Sequence, residues 1–420
     1  MIVKNEEANL PALLESVAVL GARLVVVDTG STDRTVSIAR NAGAEVVSWK
    51  WRSDFAAARN VSLDHAGNPP WVLWMDADDR LPFRSVQPIL EIASGTPDRA
   101  VSFLVKNTLD GGSTGTEFSQ IRMFPNHPRL RFHGAVHEQV YPSLVELGLE
   151  VDYTDILIHH TGYTDPTTIR GKQERNREIL EARVHAGDAG AIQWYQLATT
   201  AQDLGDAKEA ERGFRKALDL VRAGDPDKHL ASVLPSHLAS LRLAAGDVDG
   251  AYRIYKETLD PDPASWHPNQ TSLVAEVWDK VEGAEAALTF WEKAFTPRVR
   301  QMLLPVDPKL ASIRPLQVLA EHWRSHGRES LGVDILKILK MVLEDQRPSR
   351  SSLADAYLRQ GLPARAAELY AWCLEKDGDD PEIWAALVRA LRQSGAGTQA
   401  DGFLRAGMEK WPRHEAFQFL

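Results

Sequence analysis

The sequence predicts an α/β domain built on a Rossmann-like parallel sheet, followed by an all-α repeat domain. Three observations predict it. Short Val-rich apolar runs alternate with helical patterns over the first 165 residues or so. Two of those runs, in "LVVVDTGSTDRT" from Leu24 and "WVLWMDADDR" from Trp71, lead straight into aspartates. Late in the chain, Gly327, Gly361 and Gly395 step by 361−327 = 34 and 395−361 = 34 residues, the mark of a repeat.

In chain order, residues 2–3, 24–27, 44–47 and 71–75 read as strands, bounded by Gly, Asp or Asn. Between them Leu10, Leu13, Leu14 and Val17 recur at helical spacing. "STDRTVSIARNAG" offers Ser31 or Thr32 as a helix cap and Gly43 as a stop. Strands that are apolar throughout, rather than alternating, imply a parallel sheet covered on both faces. Such sheets bind ligands at the carboxyl ends of their strands, where Asp28 and Asp76 fall. The two acidic ends are expected side by side.

From about 190 the pattern is helical almost throughout. In "WYQLATTAQDLGDAKEAERGFRKAL" the order Trp194, Leu197, Ala198, Gly205, Ala210, Phe214, Ala217 resembles the tetratricopeptide repeat. Small residues stand where two helices touch, and aromatic ones where the next pair packs. The frame returns through Leu353, Ala354, Tyr357, Gly361, Ala366 and Tyr370, and again through Trp384, Leu387, Gly395, Ala400 and Pro412. Looser copies near Gly246 and Ala287 bring the expectation to five or six units. A stacked solenoid needs these residues simply to exist, so they are read as core. The expected division is 1–165 for the α/β domain, 166–190 for a helical linker and 191–420 for the repeats.

Composition narrows the function. The 420 residues are 44% hydrophobic and 25% charged, as in an ordinary globular protein. A formal net charge of −10 argues against nucleic acid as a partner, since neutralising phosphates needs a basic face. The single cysteine, Cys373, excludes an intrachain disulfide and fits a reducing compartment. No run approaches the length of a membrane span, and "MIVKNEEANL" turns charged by Lys4, unlike a secretory signal. A cytoplasmic protein without an integral membrane segment is expected.

"MDADD" places two aspartates one residue apart at a strand end, an arrangement that holds a hard divalent cation through oxygen ligands shared with phosphates. Alone such a pair is weak, because turns collect aspartate for their own hydrogen bonds. The preceding apolar strand and the second acidic strand end reverse that weighting.

"MIVKNEEANLPALLESV", "LVVVDTGSTDRT", "DFAAARN" and "WVLWMDADD", in this order and spacing, resemble the family 2 glycosyltransferases of the GT-A fold, over about residues 1–165. The resemblance implies a nucleotide-diphosphate sugar donor, most often a uridine diphosphate sugar. It implies Asp28, Asp33 and the Asn5–Glu6 turn around base and ribose, and Arg59 near the nucleotide. Asp76 is implied to face ribose and metal, and Asp78 to ligate Mn²⁺ or Mg²⁺. "FHGAVHEQV" and "ILIHHTGY" resemble the members that carry attached repeats, a subset that includes bacteriocin peptide S-glycosyltransferases. By that resemblance Glu138 is the general base beside His137, His160 reaches the metal, and the reaction inverts the anomeric carbon. His133 and His159 are read as structural. The basic cluster Arg170, Lys172, Arg175 and Arg177, on an expected helix, has two readings, a contact to the donor diphosphate or a solvated linker face, and the solvated face is preferred.

Family members carry several apolar residues ahead of the "MIVKNEE" segment, whereas this chain begins inside it, so a short first strand or an upstream start is expected. The acceptor is expected to be a peptide, protein or surface glycan, with the repeats binding it or a second copy of the chain. A repeat scaffold carrying an inactive sugar-nucleotide domain is the rival reading, and the intact aspartate pair and "HE" weigh against it. A nucleotidyltransferase would open on a glycine-rich loop, which "IVKNEEANL" lacks.

Overall fold

A computed structural model describes the chain except for residues 109–113, 162–165, 188, 259–265, 298–304 and 418–419. It divides into two compact units, Met1–Pro226 with a short later segment, and Asp227–Arg298 with Val306–Leu420. The first unit thus takes in the first helical pair of the repeats as well as the α/β part.

Three strands, β1 (Ile2–Val3), β2 (Val25–Asp28) and β3 (Glu45–Ser48), form a parallel sheet with β2 in the middle. Each lies within a residue of its expected place. Helices α1 (Leu10–Val17) and α2 (Thr35–Asn41) connect them. The Pro at the start of α1 suits a position whose N–H has no helical partner, and its Leu10, Leu13, Leu14 and Val17 are all buried. Ser31 and Thr32 do not cap α2. The helix starts at Thr35, and Asp33 accepts from the Thr35 amide at 2.9 Å.

The single parallel sheet needs correction. The strand that leads into Asp76, β4 (Trp71–Leu73), pairs antiparallel with β7 (Thr114–Pro125) rather than beside β2. A second, mixed sheet results, ordered β4-β7-β6-β8-β5, with β6 (Ala100–Thr108), β8 (Val151–His160) and the two-residue β5 (Asp79–Arg80). An apolar run buried on both faces reads the same whichever way its neighbour runs, so the sequence carried no sign of direction. Val3, Leu13, Val26, Trp71, Val101, Phe103 and Ile158 share one core, drawing side chains from both sheets. Helices α3 (Phe55–Asp64), α4 (Phe83–Ala93), α5 (Tyr141–Leu147) and the long α6 (Pro166–His185) complete the α/β part.

The repeats follow as helix pairs: α7 (Ala191–Asp203) with α8 (Ala207–Arg222), α9 (Leu234–Ala244) with α10 (Val248–Thr258), α11 (Pro268–Val281) with α12 (Ala284–Ala294), α13 (Arg314–Ser325) with α14 (Glu329–Leu343), α15 (Ser351–Arg359) with α16 (Pro363–Asp377), and α17 (Pro381–Gln393) with α18 (Gly397–Lys410). Each pair turns at a glycine, from Gly205 to Gly395, with φ between 74° and 94°. Only glycine enters that backbone region without strain, which is why the repeat was legible through its glycines. The fourth pair, α13–α14, turns at Gly327. Buried Ala354, Tyr357, Ala366 and Tyr370 fill the places the repeat assigns them. No described helix is long and apolar enough to cross a membrane.

Candidate active site

Two loops at the carboxyl ends of β1 and β2 are laced together. Asn5, at φ 57°, accepts from the Thr32 amide at 2.8 Å and donates its own amide to Ser31 Oγ at 3.0 Å. The Glu6 amide donates to Thr35 Oγ1 at 2.7 Å and the Glu7 amide to Asp33 Oδ2 at 3.1 Å. Burial raises the pKa of the Asp33 carboxyl, but the bonds from Thr35 and from the Glu7 amide outweigh it and hold it below its ordinary value. Both oxygens of Asp33 therefore serve the loop itself. Buried Asp28 accepts from the amides of Gly30 and Ser31 at 3.3 and 3.1 Å, which fixes the turn leaving β2.

Past the end of β4 the charges gather. Asp76 accepts from Arg59 Nη2 at 2.9 Å and from Arg122 Nη1 at 3.3 Å. Arg122, from β7 and only 1% exposed, also pairs with Asp79 at 3.0 Å. Both guanidinium carbons lie within 4.0 Å of the Trp74 ring centre, a cation–π arrangement that holds the cations without neutralising them. Burial raises the pKa of Asp76, but the charges of Arg59 and Arg122 outweigh it and hold the carboxyl below the usual range.

Asp79 is fully buried. It accepts from the Asp76 amide at 2.8 Å and meets His160 Nδ1 at 2.9 Å. Asp78 Oδ1 stands 3.5 Å from the same nitrogen. Burial lowers the pKa of His160, yet the bond to Asp79 and the charges of Asp78, Asp79 and Asp76 raise it overall. Each of Asp76, Asp78, Asp79 and His160 offers a ligand atom within 4.8 Å of the others. Three carboxylates and one imidazole converging in this way suit a hard divalent cation.

Glu138 joins this cluster through Arg59, whose Nε donates to its carboxylate while Nη2 holds Asp76. Burial lowers the pKa of Arg59, but Asp76 and Glu138 raise it overall, so it stays a cation. His137 beside it adopts φ 53°, an uncommon conformation for a non-glycine residue and one that collects at functional loops. The loop after β1 also feels this cluster. Burial raises the pKa of Glu6, and after the bond from Asn9, which lowers it, the charge of Asp78 raises it again.

Sequence reasoning missed Arg122 and Asp79. The signal for Arg122 was a lone cation inside the apolar run "QIRMF", which a strand tolerates only with a buried partner. The solvated reading of the linker cations needs correction at Lys172, whose Nζ lies 3.2 Å from Asp78 Oδ2. Arg170 and Arg177 do pair on their own helix, with Glu174 and Glu181, and Arg175 lies over Phe55. His133 meets Ser143 Oγ at 2.9 Å, a structural role, and His159 lies within β8, opposite Arg80. Gly162 and Tyr163 of "HTGY" lie outside the described residues. A cleft of about 630 Å³ between α6 and the α7–α8 turn is lined by Arg170, Glu174, Arg177 and Asp206, away from the carboxylate cluster.

The first unit holds an α/β domain with a carboxylate–histidine cluster, and helical repeats follow it. Residues 1–141 match the glycosyl transferase family 2 model, and residues 349–390 match a tetratricopeptide repeat. The chain therefore carries a family 2 glycosyl transferase domain at its N-terminus and tetratricopeptide repeats toward its C-terminus. It is 33% identical over 266 residues to a TPR repeat-containing protein of Synechococcus elongatus, covering 62% of this chain and 64% of that one. It is 28% identical over 239 residues to the prophage-derived glycosyltransferase SunS of Bacillus subtilis, 56% of each chain. The chain thus spans roughly three fifths of the length of these relatives. Among solved structures, glucosyl-3-phosphoglycerate synthase from Mycobacterium tuberculosis aligns at 19% identity over 45% of this chain and 78% of its own, with a TM-score of 0.30, too low to bear on the fold.

Proposed function

We propose that this protein is a metal-dependent, inverting glycosyltransferase of the cytoplasm. It moves a sugar from a nucleotide-diphosphate donor, with a uridine diphosphate sugar the preferred class, to a peptide, protein or glycan acceptor. The observation that carries the proposal is the convergence of Asp76, Asp78, Asp79 and His160, with Glu138 tethered to the same cluster by Arg59.

Asp76, Asp78 and His160 are the residues to hold Mn²⁺ or Mg²⁺, which when bound supplies Lewis-acid stabilisation of the negative charge on the departing diphosphate. Asp28, Asn5 and Glu6 frame the nucleoside end. Asp33 contributes by keeping the β1 and β2 loops laced in register. Glu138 accepts the acceptor's proton as the nucleophile attacks the anomeric carbon opposite the diphosphate, and the sugar–phosphate bond breaks with inversion. Arg59 positions that base relative to Asp76, and His137 shapes the loop that presents it. The repeats are read as the acceptor-binding surface or as the contact between two copies of the chain.

The test is release of uridine diphosphate from a panel of uridine diphosphate sugars, with Mn²⁺ and with chelator. Wild type is expected to release it from one donor in the presence of metal. Asp78→Ala is expected to lose about 10³-fold or more, the scale of removing a main electrostatic stabiliser of the leaving group. No release from any donor, together with no calorimetric binding of any nucleotide-sugar, overturns the transferase reading in favour of the inactive scaffold.

A further inference from the structure

Lys172 stands apart from the other cations of the site. Arg59 comes from α3 and Arg122 from β7, both are over nine-tenths buried, and each bridges two carboxylates. Lys172 comes from α6, the helix that leads on toward the repeats, and its side chain is 31% exposed. Its ammonium lies 3.2 Å from Asp78 Oδ2, whereas the other oxygen of Asp78 faces His160 at 3.5 Å. It also acts electrically on Glu6. A lysine is a compact charge on a flexible four-carbon stem, able to change partner without moving its backbone.

We propose that Lys172 is a substrate-positioning residue that exchanges partners. Without a divalent cation it is the counter-ion of Asp78, and with the cation and donor bound it leaves Asp78 for the donor's diphosphate. The inference rests on the metal-dependent nucleotide-sugar reading above. A doubly charged ion on Asp78 weakens that carboxylate's hold on an ammonium group at contact distance, because like charges that close repel. The diphosphate brings fresh negative oxygens to the same place, and the three N–H donors of an ammonium suit phosphate oxygens. The lysine therefore moves to the donor rather than out into water. In this way α6, which also packs through Ile179 and Leu180 against Val136 of the Glu138 loop, couples donor binding to the region of the base.

The experiment is calorimetric titration of the full chain with MnCl₂ alone, and then with uridine diphosphate at saturating Mn²⁺. The proteins are wild type, Lys172→Met, Lys172→Arg and Arg170→Met. For Lys172→Met the proposal expects Mn²⁺ alone to bind about tenfold tighter and uridine diphosphate about tenfold weaker, the weight of one partly shielded ion pair. Opposite shifts are something a merely structural loss does not produce. Lys172→Arg keeps the charge and stays near wild type in both titrations, and Arg170→Met, at a 71% exposed position, moves neither. Unchanged or weaker Mn²⁺ binding by Lys172→Met overturns the exchange, and so does unchanged uridine diphosphate affinity. If wild type binds both ligands and Lys172→Met matches it, the exchange alone falls. If neither protein binds either ligand, the transferase reading falls and the exchange with it.

Discussion

Each of the two units buries an arginine–carboxylate network, and the two are built to opposite ends. In the second unit Glu292 of α12, 3% exposed, accepts from Tyr357 Oη and from Arg365 Nη1, both at 2.8 Å, while Trp323 Nε1 donates to the same tyrosine oxygen at 3.0 Å. One carboxylate is closed off by two donors, and a third braces the tyrosine. Burial raises the pKa of Glu292 and only then does Arg365 pull it back, as in a group enclosed for packing. In the first unit Asp76, Asp78, Asp79 and Glu138 share Arg59, Arg122, Lys172 and His160, and Asp76 keeps 25% of its side chain open. The difference teaches how to separate a structural network from a site. Enclosure with matched donors stabilises a fold, while carboxylates that converge at an accessible strand end leave room for a ligand.

The largest expected effect comes from removing the central arginine of each network. Arg122→Met removes the cation that Asp76 and Asp79 share, and Arg365→Met the one that pairs with Glu292, so each is expected to cost its own unit about 3–5 kcal/mol, the scale of breaking a buried ion pair from one side. The two then diverge. Mn²⁺ at a hundred times its dissociation constant is expected to return up to about 2.7 kcal/mol to the Arg122→Met unit and nothing to the Arg365→Met unit. Hydrogen exchange resolved by peptide follows the units separately. Equal protection of both by Mn²⁺, or of neither, removes the distinction.

Acid separates the units next. His237 of α9 has its pKa lowered to about 4 by burial, with the charge of His267 adding to it. At pH above about 6.5 it is neutral both folded and unfolded. As pH falls below that value the unfolded chain takes up a proton that the folded chain refuses until about pH 4, so stability present above 6.5 is lost across this window. A shift of this size amounts to at most about 3 kcal/mol, less to the extent that water reaches the ring. Asp76, held below the ordinary range, stays ionised over the same interval. Burial lowers the pKa of His137 in the first unit as well, with the charge of Glu138 opposing it, so both units lose stability and the larger loss is expected in the second between pH 6.5 and 4, with His237→Gln flattening that slope. Exchange protection that falls equally in both units contradicts it.

What the sequence made legible, and what it hid, follows the same division. The repeats were readable because a glycine at positive φ and a small residue at each helix crossing are demanded locally, and Gly361, Ala354 and Ala366 supply them. Asp28, Asp76 and Asp78 were readable because apolar strands running into carboxylates are locally unfavourable. The direction of the ladder beside β4 was hidden, since it depends on residues of β7 about fifty positions later in the chain. Asp79 was hidden, for it looks like a turn aspartate until its partner is known, and Arg122 showed only as a lone cation in an apolar run with no partner in sight. Lys172 was misread for the same reason: a helix rich in Arg, Lys and Glu looks solvated all round, and only the docking of α6 singles out one cation.

The smallest effect compares two helix caps. Asp54 caps α3, accepting from the Ala57 amide at 2.8 Å, and its other oxygen pairs with Arg183 of α6 at 3.1 Å. Asp380 caps α17, accepting from the Glu382 amide at 2.8 Å. Replacing either by Ala is expected to cost about 1 kcal/mol, the usual worth of such a cap. Only α3 carries Arg59 into the carboxylate cluster, one turn past that cap. Asp54→Ala is therefore expected to weaken uridine diphosphate binding in the presence of Mn²⁺ a few-fold, because fraying of the first turn loosens the arginine that spaces Asp76 from Glu138. Asp380→Ala, destabilised on the same scale, leaves that affinity unchanged, since α17 belongs to the other unit and carries none of the residues assigned to the site. Equal affinity in the two variants, measured side by side by calorimetry, would show that Arg59 is held by its ion pairs and Trp74 alone and owes nothing to the start of its helix.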